Sequence, residues 1–259
     1  MPSCVLLLSY FFITFAVEIK LNERMKKGYF RYKQFTICQV HAAMKVGTDA
    51  DLLGALAEGG AEVLDIGTGT GVLALMLAQR CPLASVTALE IDDNAIIDAT
   101  ENFAASPFAD RITLRQQSFQ DYLAADSSPR FDSIVCNPPY FDKSLECPDL
   151  GRTRARHSSS LPFDVLVNGA YALLREGGCF TVCIPPEVYA DFTSLAAYAG
   201  FRTKVTYQIK SVPEKGTKRY IIVFAKDSHV EPRTETYCMR NADRTVSEWY
   251  KTLMEDFLL

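Results

Sequence analysis

Val63-Leu64-Asp65-Ile66-Gly67-Thr68-Gly69-Thr70-Gly71 is a short apolar run that ends in alternating glycines, and residues 72–80 then continue with helical spacing. Glycine lets the backbone turn sharply and approach a ligand closely, because it carries no Cβ. A dinucleotide-binding loop needs glycine at position 72, where this chain has valine. The stretch therefore predicts a strand, a tight turn and a helix that hold a nucleotide-like cofactor other than NAD.

The pattern around this stretch alternates between strands and helices. Further strands are predicted at 85–90, 112–114, 131–136 and 179–184, and helices near 50–58, 93–104, 162–174, 187–199 and 245–257. Such alternation predicts a parallel sheet covered on both faces. Residues 204–209 and 220–225 are typical of a hairpin that adds an antiparallel edge strand. The predicted fold is α/β, a doubly wound, mostly parallel, seven-stranded sheet of the Rossmann-like type.

The composition is that of one ordinary globular domain. The chain has 259 residues, of which 48% are hydrophobic and 22% charged, with a net charge of −4. A nucleic acid would therefore have to bind at local basic patches. Three clusters qualify: Arg24, Lys26, Lys27, Arg31 and Lys33; Arg152, Arg154, Arg156 and His157; and Lys210, Lys215, Lys218 and Arg219. Each cluster could equally be a solvated surface.

The eight cysteines and three histidines show no metal-ligand spacing, and no C-x-x-C pair occurs. Cys179 and Cys183 lie in an apolar run, where two small buried side chains are expected. We therefore expect no metal site, reduced thiols and a cytoplasmic protein without stable membrane association.

Residues 1–24 carry an apolar run, 5–17, that is too short to span a bilayer. Three interpretations stay open: a start-site artefact with Met25 as the natural start, a real apolar extension, or a signal or anchor segment. Residues 25–259 are predicted to form one domain.

Two polar positions follow predicted strands at the edge where open α/β sheets bind ligands. Glu90 ends the second strand, and its carboxylate can accept hydrogen bonds from both hydroxyls of a ribose. Asn137-Pro138-Pro139-Tyr140 follows the strand at 131–136. The Asn137 side-chain oxygen and the Pro138 carbonyl can accept both hydrogens of a planar amine, and the two prolines fix these acceptors in place.

Such an arrangement favours methyl transfer to a planar nitrogen. Accepting both hydrogens draws the nitrogen toward a tetrahedral shape and aims its lone pair at the incoming carbon. Tyr140 offers a flat face for a base to stack on. The alternative interpretation of the four residues is a rigid turn after a strand.

With the glycine loop, Glu90 and N-P-P-Y in place, the chain resembles class I amino-methyltransferases, and most of all the bacterial tRNA(Val) adenine-37 N6-methyltransferases. The similarity covers roughly residues 29–259 and includes Lys33-Gln34-Phe35, Met44 to Asp49, Glu146-Cys147 and Ala155-Arg156. It leaves the apolar start unmatched, which favours Met25. The resemblance implies S-adenosylmethionine as the cofactor and tRNA as the partner.

The resemblance also implies roles for individual residues. The implied cofactor residues are Asp65, Gly67, Gly69, Gly71, Glu90, Ser118, Lys45, Thr48 and Asp49, the last three at the methionine end. Phe35 and the loop 141–160 would shape the base pocket, and Arg152 and Arg156 would meet RNA phosphates. Ser118 stands where the family pattern has an acidic residue for the adenine amino group, and Asp121 could substitute for it.

Three other functions compete with this interpretation. A glutamine N5-methyltransferase uses the same N-P-P-Y, but such enzymes carry a helical domain before the glycine loop, and only about 40 residues separate Met25 from Asp65. A DNA adenine methyltransferase would be expected to carry an additional target-recognition domain. A non-catalytic RNA chaperone that binds S-adenosylmethionine would not need an intact N-P-P-Y.

Overall fold

A computed structural model describes residues 28–125, 128, 130–138, 161–226 and 229–259. The segment 1–24, Pro139, Tyr140 and the loop 141–160 with Arg152 and Arg156 lie outside the described residues.

Ten strands form two sheets in this part of the chain. A small antiparallel hairpin pairs β1 (Tyr29–Arg31) with β2 (Thr36–Cys38). The large sheet contains β3 (Glu62–Ile66), β4 (Ser85–Glu90), β5 (Ile112–Gln116), β6 (Phe131–Cys136), β7 (Leu174–Ile184), β8 (Arg202–Lys210), β9 (Thr217–Ala225) and β10 (Arg233–Cys238). Its order is β10-β8-β9-β7-β6-β3-β4-β5, and β9 alone runs antiparallel to the others.

The doubly wound, mostly parallel α/β fold and the terminal hairpin are confirmed. Two details differ from the expectation: the large sheet has eight strands rather than seven, and the antiparallel strand β9 lies between β7 and β8. The unpredicted strand is β10, with the sequence RTETYC and no buried residue. It escaped detection because an edge strand without a buried face does not need the alternation of apolar residues that marks a strand.

Seven helices of the described residues cover the large sheet. They are α1 (Thr48–Leu56), α2 (Val72–Arg80), α3 (Asp93–Ala104), α4 (Phe119–Ala125), α5 (Phe163–Leu173), α6 (Tyr189–Tyr198) and α7 (Glu248–Met254). The sequence did not predict α4, which has only seven residues.

Each face of the sheet has its own apolar core. One core joins α1, α2, α3 and α7 with the β1–β2 hairpin, and the other joins α4, α5 and α6. Adjacent residues of β7 enter different cores, Phe180 and Val182 one and Cys183 the other, because side chains alternate along a strand. The strand ends therefore remain as the place for a ligand.

Within the described ranges, no helix is long and apolar enough to cross a membrane, and no group of three metal-ligating side chains occurs.

Candidate active site

The glycine loop follows β3 and adopts the backbone that its glycines allow. Gly67, Gly69 and Gly71 have φ of 71°, 58° and 86°, the left-handed region that favours glycine. A Cβ on Gly67 or Gly69 would meet no atom within 4 Å, whereas one on Gly71 would lie 2.4 Å from the Phe103 ring. The first two glycines thus leave space beside the loop, and the third allows the loop to pack on α3.

Asp65 lies near the end of β3, below this loop, and is fully buried. Its Oδ2 accepts a hydrogen bond from Thr68 Oγ1 at 2.5 Å, while Oδ1 has no partner among the described residues. Burial raises the pKa of Asp65 to about 7, since desolvation disfavours the charged form. Buried acceptors normally have a hydrogen-bond partner, so this oxygen could accept a hydrogen bond from a ligand.

Glu90 ends β4 and contacts the glycine loop directly. Its Oε2 accepts from the Gly69 amide at 2.8 Å, and its Oε1 accepts from the amides of Ile91 and Asp92 at 2.8 and 2.9 Å. Asp92 in turn caps α3 by accepting from the Ala95 amide at 2.8 Å. The Glu90 carboxylate is thereby held at the carboxyl end of β4, beside Gly69.

A cavity of about 520 Å³ opens at this edge of the sheet. It is lined by six residues that the sequence singled out: Gly67, Gly69, Glu90, Ser118, Asn137 and Pro138. The rest of its wall is mostly apolar and includes Ile66, Leu89, Phe119 and Leu161. An apolar cleft with a few convergent polar groups is typical of a small-molecule site.

Asn137 and Pro138 follow β6, whose neighbours in the sheet are β3 and β7. Asn137 is half-buried and Pro138 is buried. The parallel pairing of β3 with β6 aligns Ile66 with Cys136, so the glycine loop and Asn137 leave the sheet at the same level. The topology accounts for the way two motifs far apart in sequence face one cavity.

Ser118 lines the cavity, but its hydroxyl is engaged in the turn that starts α4. Its Oγ donates to Asp121 Oδ2 at 2.6 Å and accepts from the Asp121 amide at 3.0 Å. This is the pattern of a helix N-cap. The contact of Ser118 with an adenine stays a prediction.

Six further predicted site residues within the described ranges do not line the cavity: Phe35, Lys45, Thr48, Asp49, Asp65 and Gly71. Phe35 is buried against Tyr32, with ring centroids 4.5 Å apart. Lys45 donates to the carbonyls of Gln39 and Ala42, and Asp49 pairs with Arg219 at 2.7 Å. Thr48 begins α1. Their contacts with cofactor or base stay predictions.

The chain segment that does reach the cavity comes just before Lys45. Ala42, Ala43 and Met44 line it, and two polar side chains of α3 hold this segment in place. Asp98 accepts from the amides of His41 and Ala42 at 3.0 and 2.8 Å and pairs with His41 Nδ1 at 2.8 Å. Burial alone would raise the pKa of Asp98, but these hydrogen bonds lower it overall.

Asn102, also on α3, forms further hydrogen bonds to the backbone. Its Oδ1 accepts from the Cys38 amide at 2.6 Å, and its Nδ2 donates to the carbonyls of Cys38 and Thr70, both at 2.8 Å. Sequence reasoning missed Asp98 and Asn102, although their spacing of four places two polar residues on one helix face. Both are buried, which the sequence did not indicate.

Comparison with known proteins shows which family the chain belongs to. The Methyltransferase small domain family matches residues 39–188. A Bacteroides fragilis protein named tRNA1(Val) (adenine(37)-N6)-methyltransferase is 42% identical over 238 residues, which are 90% of this chain and 99% of that protein. The chain belongs to this methyltransferase family.

Two further relatives with the same name extend the comparison. The Bacteroides thetaiotaomicron protein is 43% identical over 240 residues, covering 91% of this chain and 99% of its own length. The Pseudoalteromonas translucida protein is 38% identical over 234 residues, covering 89% and 98%. These methyltransferase relatives confirm the family assignment made from the glycine loop and N-P-P-Y.

Solved structures support the fold. A predicted O-methyltransferase of Agrobacterium tumefaciens superimposes with a TM-score of 0.64 at 18% identity, covering 81% of this chain and 96% of that one. TYW2 of P. horikoshii, solved in complex with MeSAdo, gives 0.54 at 14% identity, covering 76% and 71%. Membership of a methyltransferase family implies the use of S-adenosylmethionine in general.

Proposed function

We propose that this protein transfers a methyl group from S-adenosylmethionine to N6 of adenine 37 in a valine tRNA. The observation that carries the proposal is the shared cavity: Asn137 and Pro138 line the same space as Gly67, Gly69 and Glu90. The relatives' name supplies the substrate, and the N-P-P-Y motif supplies the chemistry that fits it.

The residues of the cavity fit S-adenosylmethionine. Gly67 and Gly69 leave open space beside the loop, where a Cβ would otherwise project. The Glu90 carboxylate lines the cavity as an acceptor suited to ribose hydroxyls. Asp65 does not line the cavity, but its buried Oδ1, which has no partner among the described residues, is an acceptor suited to an ammonium group. Ser118 and Phe119 also line the cavity, and an adenine ring would pack against them.

When bound, S-adenosylmethionine supplies an electrophilic methyl group on a sulfonium. Asn137 and Pro138 hold the two N6 hydrogens of the target adenine through the side-chain oxygen and the backbone carbonyl. These two acceptors would orient the nitrogen lone pair toward the methyl carbon that the bound cofactor would supply. The methylated nitrogen then releases one proton to solvent, so no strong general base is required. Preorganised acceptors of this kind account for most of the expected acceleration.

The tRNA loop favours this reaction over duplex DNA. An adenine beside the anticodon is already partly unstacked, so its extrusion costs less than base flipping from a duplex. Tyr140, Arg152 and Arg156 belong to the proposal as a stacking face and two phosphate contacts.

The test is methyl transfer with labelled S-adenosylmethionine and four substrates: valine tRNA, the same tRNA with guanine at position 37, duplex DNA and a release factor. Label in N6-methyladenosine from the first substrate alone is the expected result. Label only in glutamine would establish the protein methyltransferase instead, and label only in DNA the DNA methyltransferase.

Asn137→Ala tests the chemistry of the site. Losing one preorganised acceptor is expected to lower kcat by about 100- to 1000-fold. The dissociation constant of S-adenosylmethionine should change little in a titration of the same variant. Asn168→Ala is the matched control, since Asn168 is an exposed amide on α5 whose hydrogen bond among the described residues goes to the Asp164 carbonyl. If Asn137→Ala kept full activity in cells, a non-catalytic RNA chaperone would be the better description.

A further inference from the structure

The third basic cluster of the sequence lies on the β8–β9 hairpin, and the fold brings it to the edge of the sheet that holds the active site. Lys210 ends β8, Lys215 lies in the connecting loop, and Lys218 is near the start of β9. The register pairs Lys210 with Thr217, and it pairs Tyr220 with Ile184 at the carboxyl end of β7. The loop between β8 and β9 therefore projects from the same edge as Asn137.

The edge strand β10 adds a fourth positive charge to this surface. Arg240 follows β10, and its amide donates to the Ser211 carbonyl at 3.1 Å, which holds it beside the hairpin loop. Lys215, Lys218 and Arg240 are exposed, and Lys210 is half-buried. We call Lys210, Lys215, Lys218 and Arg240 the hairpin surface.

These four side chains differ from most of the cations at the opposite edge of the sheet, although Arg202 there also has no ion pair among the described residues. At the amino edge, Arg175, Lys204, Lys226 and Arg233 each form an ion pair with a carboxylate, at 2.8 to 3.5 Å. Among the described residues, no carboxylate lies within ion-pair distance of any member of the hairpin surface. The cations next to it that do have such partners are Arg219, paired with Asp49, and Arg244, paired with Glu214. In a chain of net charge −4, this is a local excess of positive charge facing solvent.

The distance from the active site fits a polyanion that already has one nucleotide in the cavity. Neighbouring strands are about 4.8 Å apart, so β8 and β10, three and four strands from β6, lie about 14 and 19 Å from Asn137. That separation exceeds the size of a single base. A nucleic acid with one base in the cavity would therefore reach the hairpin surface with backbone phosphates of other nucleotides. Lysine and arginine at such positions bind phosphates and set the orientation of the nucleic acid.

We infer that the hairpin surface binds phosphates of the tRNA stem while adenine 37 occupies the cavity. This inference rests on the proposed function, because it assumes that the substrate is an RNA longer than the methylated loop. It assigns the positioning of the substrate to residues of the C-terminal hairpin and β10, outside the 39–188 segment that matches the methyltransferase domain.

The experiment compares two variants that each remove two positive charges. Lys215→Ala with Lys218→Ala removes half of the hairpin surface, and neither side chain makes a described contact that the fold would lose. Arg202→Ala with Arg233→Ala is the control, since these residues begin β8 and β10 at the opposite edge of the sheet. Valine tRNA binding is measured by fluorescence anisotropy at several salt concentrations without S-adenosylmethionine.

The hairpin variant is expected to bind tRNA on the order of tenfold more weakly. The plot of log affinity against log salt has a negative slope, and its magnitude should decrease by about 2. The control variant should match the unaltered protein in both quantities. Equal effects of the two variants, or no effect of either, would overturn the inference.

Measuring tRNA binding and methylation together distinguishes a failure of the proposed methyl transfer from a failure of the inference about the hairpin surface. If the unaltered protein binds tRNA and the hairpin variant does not, but no N6-methyladenosine forms, the proposed function fails and the surface stands. If methylation occurs and the hairpin variant keeps its affinity and salt slope, the surface is refuted and the function stands.

Discussion

At the residue scale, the three glycines of the loop after β3 have different tasks despite their similar φ values. Gly67 and Gly69 line the cavity and leave it open, while Gly71 is pressed against Phe103. The sequence was enough to predict the loop, because alternating glycines directly after an apolar run indicate a tight turn between a strand and a helix. It could not separate these tasks, since the difference comes from what each Cβ would meet in space.

Gly69→Ala should therefore mainly lower cofactor affinity, and Gly71→Ala should mainly lower stability. Both place a Cβ at positive φ, which costs roughly 1–2 kcal/mol. Gly71→Ala adds a clash with Phe103 and should lower Tm further, as measured by differential scanning calorimetry. Gly69→Ala should fold more stably than Gly71→Ala and should lose affinity for S-adenosylmethionine in calorimetric titration. A Gly69→Ala protein with unchanged affinity would contradict the position of the cofactor beside this loop.

Asp65 makes the stability of the ligand-free protein depend on pH. Its pKa of about 7 in the fold lies above its value of 3.8 in an unfolded chain, so the folded state binds more protons between these values. The free energy of unfolding contributed by Asp65 is therefore largest below pH 4 and is lost as the pH rises to about 7.

Asp65→Asn removes this dependence. The stability of the variant relative to the unaltered protein should rise between pH 4 and pH 7, by about 4 kcal/mol at most. Urea unfolding at a series of pH values measures the difference, and a difference that stays flat over this window would show that the folded protein does not protonate Asp65.

At the element scale, helix α3 determines the position of the segment that covers the cavity. Asp98 and Asn102 both lie on its buried face and hold residues 38–42 through backbone hydrogen bonds. The sequence predicted α3 with its bounds, because its apolar residues share one face. The contact with residues 38–42 could not be predicted, since it joins parts of the chain about 60 residues apart through backbone groups that every residue possesses.

Asp98→Ala should weaken cofactor binding, although Asp98 does not line the cavity. It leaves the amides of His41 and Ala42 without their acceptor, so the segment 42–44 loses its fixed position at the cavity wall. The affinity for S-adenosylmethionine is expected to fall on the order of tenfold. Asp98→Asn, which keeps one acceptor oxygen, should lose less.

The control on the same helix is Thr100→Ala. Thr100 is exposed, and within the described part of the chain its hydroxyl donates to the Ile96 carbonyl. If Thr100→Ala and Asp98→Ala weaken binding equally, the effect belongs to the helix as a whole and the anchoring role of Asp98 is wrong.

At the scale of the whole molecule, the two ends of the described chain meet on one face of the sheet. The amide of Lys33 donates to the Phe257 carbonyl at 2.8 Å, and the Lys33 side chain donates to the Glu255 carbonyl. Phe257 is 2% exposed in the core that contains α1 and α2. The C-terminal residues thus stabilise the helices next to the glycine loop without lining the cavity.

Phe257→Ala should destabilise the protein by roughly 3–5 kcal/mol, because it removes a buried ring and leaves a cavity. Leu259→Ala, two residues later and 78% exposed, should change stability by no more than about 0.5 kcal/mol. Chemical unfolding of both variants measures the contrast. Equal and small effects would mean that the C-terminal residues are not part of the core.

The sequence alone was enough to predict the doubly wound fold and to recognise the glycine loop, Glu90 and the N-P-P-Y motif. These are local patterns, and the physics that produces them acts within a few residues: glycine conformation, apolar periodicity and fixed proline φ. Folding in three dimensions was needed to establish which residues share the cavity. It brought Ala42 to Met44 to the cavity wall, added β10 at the edge of the sheet, and placed the hairpin surface at the same edge of the sheet as Asn137. These outcomes depend on sheet order and on buried hydrogen bonds between distant segments, and neither leaves a periodic trace in the sequence.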